Sequence, residues 1–210
     1  YHRSEGATKS LQLNNTDASN TYNMFNDTAP TATEFSVSSY SKVNNNGDTY
    51  VAYIFAHDTD ASSLIKCGSY TGTGSANNAV TLGWEPQWLM VKSATRAGQN
   101  WEMFDNQRGF LSGSNTAELF PNASTAERSA FNVMNATSTG FSTGTSVMDE
   151  TNETGQTYIY MAIRNSSVPT ITYDPNLQWS GGTAPTLPAT GETDVITFNT
   201  TDGGTTYKSA

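Results

Sequence analysis

Two packed antiparallel sheets are the fold this sequence predicts, an all-β class supported by three observations. Thr, Ser and Asn number 32, 23 and 20 of 210 residues, while charged residues make up only 14 % and aromatics 11 %. Disordered chains take their polarity from charge, and helical bundles are rich in Ala, Glu, Lys and Leu; this mixture fits strands and tight turns instead. Apolar runs are also short, alternate with the strand period, and are closed by turn residues at short intervals. Finally, blocks of sequence recur in one order at a nearly constant offset, as tandem β units would.

In chain order, a strand is expected at residues 50–56, where Val51, Tyr53 and Phe55 face one way and Tyr50, Ala52 and Ile54 the other. Both faces are apolar, which predicts a central strand covered on both sides. Trp88-Leu89-Met90-Val91 follows Glu85-Pro86 and reads as a buried strand, since Pro is tolerated at a strand's first residue. Trp101-Glu102-Met103-Phe104 is a shorter one. Ser124-Thr125-Ala126-Glu127 has the form of a capping box ahead of Ala130, Phe131 and Val133, and predicts one short helix. The last long strand places Ile159, Met161 and Ile163 on one face and Tyr158, Tyr160 and Ala162 on the other. Turns are expected at Asn46-Gly47-Asp48, Thr71-Gly72-Thr73-Gly74, Ala97-Gly98-Gln99-Asn100 and Thr154-Gly155. Beyond a linker at Ser166-Ser167-Val168-Pro169, Ile171-Thr172-Tyr173 and Leu177-Gln178-Trp179 precede a hairpin. Its arms, Asp194-Val195-Ile196-Thr197-Phe198 and Thr205-Thr206-Tyr207, flank Asp202-Gly203-Gly204.

The repeat sets the domain organisation. Gly47-Asp48-Thr49-Tyr50-Val51 recurs 108 residues later as Gly155-Gln156-Thr157-Tyr158-Ile159. Leu11-Gln12-Leu13-Asn14-Asn15-Thr16-Asp17-Ala18 recurs at the same offset as Leu119-Phe120-Pro121-Asn122-Ala123-Ser124-Thr125-Ala126. Glu34-Phe35-Ser36 matches Gly140-Phe141-Ser142 at 106, and Arg3 faces Arg108 at a similar offset. Residues 1–58 then read as the second half of a repeat unit, 59–165 as a complete β-sandwich unit, and 166–210 as a small C-terminal β module. By this register the first half of the earlier copy falls before residue 1. With Tyr1-His2-Arg3 opening without Met, the chain is expected to be a piece of something longer.

Charge and cysteine usage exclude several classes. Lys and Arg total 10 against 19 for Asp and Glu, a net charge of −9 that repels polyanions, so no nucleic acid partner is expected. The longest apolar run, residues 50–56, is far short of the roughly 18 needed to span a membrane, so no membrane insertion is expected. Cys67 has no partner for an internal disulfide and is expected to be a small buried residue.

Candidate chemistry is sparse. No nucleophile triad is legible with only His2 and His57 present. His57-Asp58-Thr59-Asp60 offers one nitrogen and two carboxylates, a metal corner or a solvated loop; no metal and no cofactor is expected. Glu102 and Asp105 suggest a glycosidase pair, which needs carboxyls about 5 to 9.5 Å apart, or else Glu102 is the outward residue of a strand. Asp149-Glu150 is expected to be solvated. Aromatic faces stack on sugar rings, and of Trp84, Trp88, Trp101 and Trp179 the core is the expected place for Trp88, inside an apolar run. Trp84, between Gly83 and Glu85-Pro86, and Trp101, at a loop exit, are the candidate carbohydrate contacts. Glycine stretches such as Thr71-Gly72-Thr73-Gly74 lack the Gly-Lys-Ser/Thr ending of a phosphate loop. Asn-x-Ser/Thr sequons at Asn14, Asn26, Asn122, Asn135, Asn152, Asn165 and Asn199 are expected from composition.

Ile65-Lys66-Cys67-Gly68-Ser69-Tyr70-Thr71-Gly72-Thr73-Gly74, then Leu82-Gly83-Trp84-Glu85-Pro86-Gln87-Trp88-Leu89-Met90-Val91-Lys92, then Trp101 through Phe104-Asp105 to Arg108-Gly109, resemble a repeat module of bacteriophage tail-fibre and related virion proteins. The likeness is greatest to those of marine phages. Thr157-Tyr158-Ile159-Tyr160-Met161-Ala162-Ile163-Arg164 fits the same module. Trp179-Ser180-Gly181-Gly182-Thr183-Ala184-Pro185-Thr186-Leu187 and Thr200-Thr201-Asp202-Gly203-Gly204-Thr205-Thr206-Tyr207 resemble a terminal segment of phage fibres.

The resemblance implies an antiparallel β-sandwich akin to lectin or laminin-G jelly rolls, displayed on a virion and often trimeric, and it supplies no catalytic residue. The expected function is therefore that of a non-enzymatic viral structural protein of a tail fibre, serving host attachment by adhesion to carbohydrate. Expected partners are further copies in a homo-oligomer (a homotrimer), other virion proteins and a host cell-surface glycan. The expected location is the virion, after synthesis in the host cytoplasm. The alternatives are a purely structural capsid-decoration or fibre-stalk protein, and a polysaccharide depolymerase.

Overall fold

The computed structural model describes residues 1–60, 62–110, 115–146 and 149–165, with the backbone of 198–199 and 208–209. Its elements are α1 (Ser41–Asn44), β1 (Ile65–Thr71), β2 (Ala79–Thr81), β3 (Pro86–Ser93), β4 (Trp101–Asp105), a 3-10 turn (Asn106–Arg108), β5 (Met134–Thr137), β6 (Gly140–Thr143), α2 (Asp149–Asn152), β7 (Thr157–Arg164), β8 (Phe198–Asn199) and β9 (Lys208–Ser209). Contacts within the chain group Tyr1–Ser166 as one unit and Ser167–Ala210 as another.

The first unit is an all-β sandwich. Its larger sheet has the order β1-β7-β3-β4 and its smaller sheet β2-β6-β5, with every pair antiparallel. Because side chains alternate, the register Gly68↔Tyr160↔Val91↔Glu102 lies on the inner face and Cys67↔Met161↔Met90↔Met103 on the outer one. Leu89, Val91, Phe104, Tyr158, Tyr160 and Ala162 meet Met134, Ala136 and Phe141 of the smaller sheet in a single buried core. Gly68 has its cause here: a Cβ at that inward position would run into the Tyr160 ring. The strands expected at Trp88, Trp101 and Ile159 all form, with Pro86 at the first residue of β3 and Cys67 buried.

Buried polar groups then lock the loops to the strands. Asn152, fully buried, accepts from Thr73 N–H (2.9 Å) and Asn78 Nδ2 (3.0 Å), and donates to Ser75 O (2.7 Å) and Thr143 Oγ1 (3.2 Å). All four bonding positions of the amide are therefore used. Tyr158 O–H donates to Asp149 O (2.6 Å) and accepts from Glu153 N–H (2.8 Å), tying α2 to β7. After β4, Asp105 caps the 3-10 turn by accepting from the N–H groups of Gln107 and Arg108, and Gly109 leaves it with φ +100°.

Two sequence expectations are corrected. Residues 50–56 form no strand and are exposed, because no neighbouring strand pairs with them among the described residues. No helix follows Ser124; instead Glu118 and Arg128 form a β-bridge that holds the segment extended. In the second unit, β8 pairs with β9 in the register Phe198↔Ser209 and Asn199↔Lys208. The expected turn residues and strands at 171–179 lie outside the described residues.

One acidic cluster lies inside the sandwich. Glu118 is fully buried and bidentate with Arg128, at 3.0 Å to Nε and 2.7 Å to Nη2. Glu102, also fully buried, receives no N–H or O–H donor at either carboxyl oxygen, and its one neighbour able to bond it is the Glu118 carboxyl, which accepts only when Glu102 holds a proton. Burial, followed by the Glu118 charge, pushes its pKa from 4.5 up to about 9, so Glu102 is a neutral acid at pH 7.

Two outcomes follow from this packing. Asn152→Ala strands several buried partners and should destabilise the unit by about 3 kcal/mol in denaturant titration. A loss near zero would mean that the network is replaceable by water. Between pH 4.5 and about 9 the folded state keeps a proton on Glu102 that the unfolded state releases, so stability falls as pH rises across that window. The unsubstituted chain should thus lose Tm between pH 5 and 8 more steeply than Glu102→Gln, and parallel profiles would contradict the neutral acid.

Candidate functional site

Neither sequence-chosen tryptophan is offered to solvent. Trp84 is 4 % exposed within the central core, its Nε1–H donates to Ser63 Oγ (3.3 Å), and Lys66 Nζ lies 5.9 Å from its ring. Trp101 is 8 % exposed on the other side of the larger sheet, packed with Ala94 and Ile159 under Leu11, and donates Nε1–H to Gln12 O (3.1 Å). The two rings do not share a surface. Their expected exposure fails because Gly83 turns Trp84 inward with φ +86°, and because residues 10–20 cover Trp101. That cover is hydrogen-bonded: Ser19 N–H donates to Ala94 O and Gly98 N–H to Thr16 O, both at 2.8 Å. It also seals Lys92, whose Nζ donates to Ser93 O (3.1 Å) and whose pKa burial pulls down to about 8.

The carboxylate candidates likewise separate. Glu102 pairs with Val91 on the inner face of the sheet, whereas Asp105 pairs with Trp88 on the outer face and is bound to Arg108 at 2.7 Å. A glycosidic bond cannot sit between them. Asp149 is not merely solvated, since Arg96 reaches it at 2.9 Å and also binds Glu153. Glu150 lies 3.7 Å from Arg128. The His57 loop spends its polar atoms on itself and on β1: His57 Nδ1 accepts from Cys67 N–H (3.1 Å), Asp58 from Asp60 N–H (2.9 Å), and Asp60 from Ser62 N–H and Oγ–H (2.7 Å each). Those bonds lower the Asp60 pKa. Among the described residues no group of three or more His, Cys, Asp or Glu could hold a metal ion. Two of the sequons, Asn135 and Asn152, are buried.

Among the described residues, open aromatic surface is concentrated instead in residues 1–58, where Tyr1, Tyr22, Phe35, Tyr50, Tyr53 and Phe55 are exposed. One pair there is built. Tyr22, 50 % exposed, stacks on Tyr40 with ring centroids 5.7 Å apart and planes 14° from parallel. Asn20 Oδ1 accepts from Tyr22 N–H (3.1 Å), and Ser38 Oγ accepts from Tyr40 N–H (3.0 Å). Ser38 is itself fixed: its hydroxyl donates to Asn23 O, its N–H to Met24 O (3.0 Å), and its carbonyl accepts from Asn44 Nδ2 (3.0 Å). Met24 itself is buried. The result is a flat, half-open ring backed by a second ring and bordered by amides, a geometry suited to stacking on a sugar. Sequence reasoning missed it because the two tyrosines stand far apart. The available signal was aromatics set among Thr and Asn with no apolar periodicity to bury them.

No curated protein and no solved structure matches this chain. The family described as "Domain of unknown function (DUF7483)" matches residues 1–167, so the leading segment and the sandwich fall in a single family match, and the chain belongs to that family.

Proposed function

We propose that this chain is a structural and adhesion module of a bacteriophage virion fibre that engages host-surface carbohydrate without cleaving it. The observation that carries the reading is where the fibre-like blocks fall. Those of the repeat module coincide with β1, β3, β4 with its 3-10 turn, and β7, which together make the whole larger sheet, while those of the terminal segment, at 179–187 and 200–207, lie outside the described residues. The resemblance is thus one of framework, on which loops and surface rings can carry recognition. The Tyr22–Tyr40 pair is the contact proposed in place of Trp84 and Trp101. Its single-site affinity is modest, and several copies in a homo-oligomer such as a trimer, among other virion proteins, raise it through effective concentration.

The test incubates the full chain with a panel of bacterial surface polysaccharides and with intact cells, recording binding and released oligosaccharide together. Binding without release is the expected result. Release would overturn the non-enzymatic reading, and neither signal from a folded, oligomeric sample would favour a fibre stalk or capsid decoration. Tyr22→Ala should weaken binding roughly 2- to 10-fold, the worth of one aromatic stack, with only a small loss of Tm from the Tyr40 contact. Trp84→Ala should instead lower Tm by leaving a core cavity. Unchanged binding by Tyr22→Ala would remove the tyrosine pair from the site.

A further inference from the structure

Hydrogen bonds in the leading segment recur 108 residues later. The isolated bridge Ser10↔Asn20 corresponds to Glu118↔Arg128. Ser38 N–H donates to Met24 O at 3.0 Å, and Ser146 N–H to Asn132 O at 2.8 Å. The four-residue turn α1 corresponds to α2, and a tyrosine hydroxyl closes each. Tyr50 O–H donates to Ser41 O (3.0 Å) and accepts from Asn45 N–H (2.8 Å). Tyr158 does the same with Asp149 O (2.6 Å) and Glu153 N–H (2.8 Å). Gly47 and Gly155 both take positive φ, +88° and +78°, and Asp48 N–H to Asn45 O repeats as Gln156 N–H to Glu153 O, each 3.2 Å. Local sequence likeness alone does not account for this, since Ser10/Asn20 and Glu118/Arg128 share no chemistry.

The two copies part after the tyrosine. Tyr158 leads into β7, paired with β1 along one edge and with β3 along the other. Tyr50 leads into residues 51–56, where Val51, Tyr53 and Ile54 are 81 %, 83 % and 73 % exposed. The backbone there forms no hydrogen bond among the described residues, and no side chain is charged. We infer that residues 10–56 are the back half of a second sandwich and that 51–56 are its central strand, shaped to receive a front half of the β1–β4 kind. The occupant follows from β7, whose edges and inner face take such strands in the complete unit. In that unit β1 and β3 are already paired, so the front half is a second one, carried by another repeat unit of this family. This inference does not rest on the adhesion reading.

The local correspondence is tested in the full chain by amide hydrogen exchange. Tyr50→Phe should speed exchange at Asn45 about tenfold, as Tyr158→Phe should at Glu153, each losing one hydrogen bond. An Asn45 amide unprotected in the parent chain, or insensitive to Tyr50→Phe, would overturn the correspondence. The occupant is tested by placing a copy of residues 59–108 ahead of Tyr1, which preserves the offset. Amides 51–55 should then slow by about a hundredfold or more in a monomeric fusion. Unchanged fast exchange at 51–55 beside protected 157–164 would overturn the inference. So would concentration-dependent protection of 51–55 in the parent chain, which would assign the strand to self-pairing between copies. Should the fusion itself lose protection at 157–164, the paired tyrosine variants decide.

Discussion

Strand β7 has both hydrogen-bonding edges occupied, by β1 and by β3, over almost its whole length, and both of its faces carry apolar side chains. The remaining sandwich is referred to it in steps. Tyr158 at its start holds α2 through the hydroxyl, and Asn152 at the end of α2 holds residues 73–78 and β6. The smaller sheet is thereby placed over the larger one before any side chain of the core is counted. Hydrophobic burial supplies most of the favourable free energy, but it is non-directional. Register comes from these polar ties, each of which would be costly to leave unmade in a dry interior.

The same argument explains what was legible in the sequence. Alternation over residues 157–164 and the run at Trp88 predicted strands correctly, because both segments are surrounded by partners elsewhere in the chain. Residues 50–56 carry the same alternation and form no strand. A strand is a paired object, and its propensity is a statement about fitting a half-buried pleated surface. Periodicity reports that a segment can be covered, not that the cover is present. Ser124-Thr125-Ala126-Glu127 failed for a related reason: a four-residue capping signal is local, and the bidentate Glu118–Arg128 pair draws the following residue into an extended bridge.

Site residues were harder to read than strands. Trp84 and Trp101 sit beside turn residues, and a turn in sequence suggests nearness to solvent. In the fold one turn points its ring inward and the other lies under residues 10–20. Glu102 was legible as a strand residue, but its direction depends on the pairing of β4 with β3. Once inward and beside a second carboxyl, the acid is tolerated by holding its proton, while Arg128 forks onto Glu118. The cluster belongs to the packing, since both carboxyls are shut off from any substrate.

Residues 1–58 carry two proposed surfaces with opposite requirements, since the proposed recognition ring must stay open and the inferred strand at 51–56 must be covered. The complete unit shows that both can hold at once. At the offset of 108, Tyr22 corresponds to Ala130, which remains exposed in the finished sandwich. Val51 and Ile54 correspond to Ile159 and Ala162, which are buried there. Completing the leading half would therefore bury the strand while leaving Tyr22 at the surface. The proposed assembly and adhesion then draw on different residues of one segment, so that substitutions at Tyr22 and at Val51 should act independently. The proposed adhesive role would need that separation, because the front half that closes a sandwich has to bury its central strand without covering the proposed recognition ring.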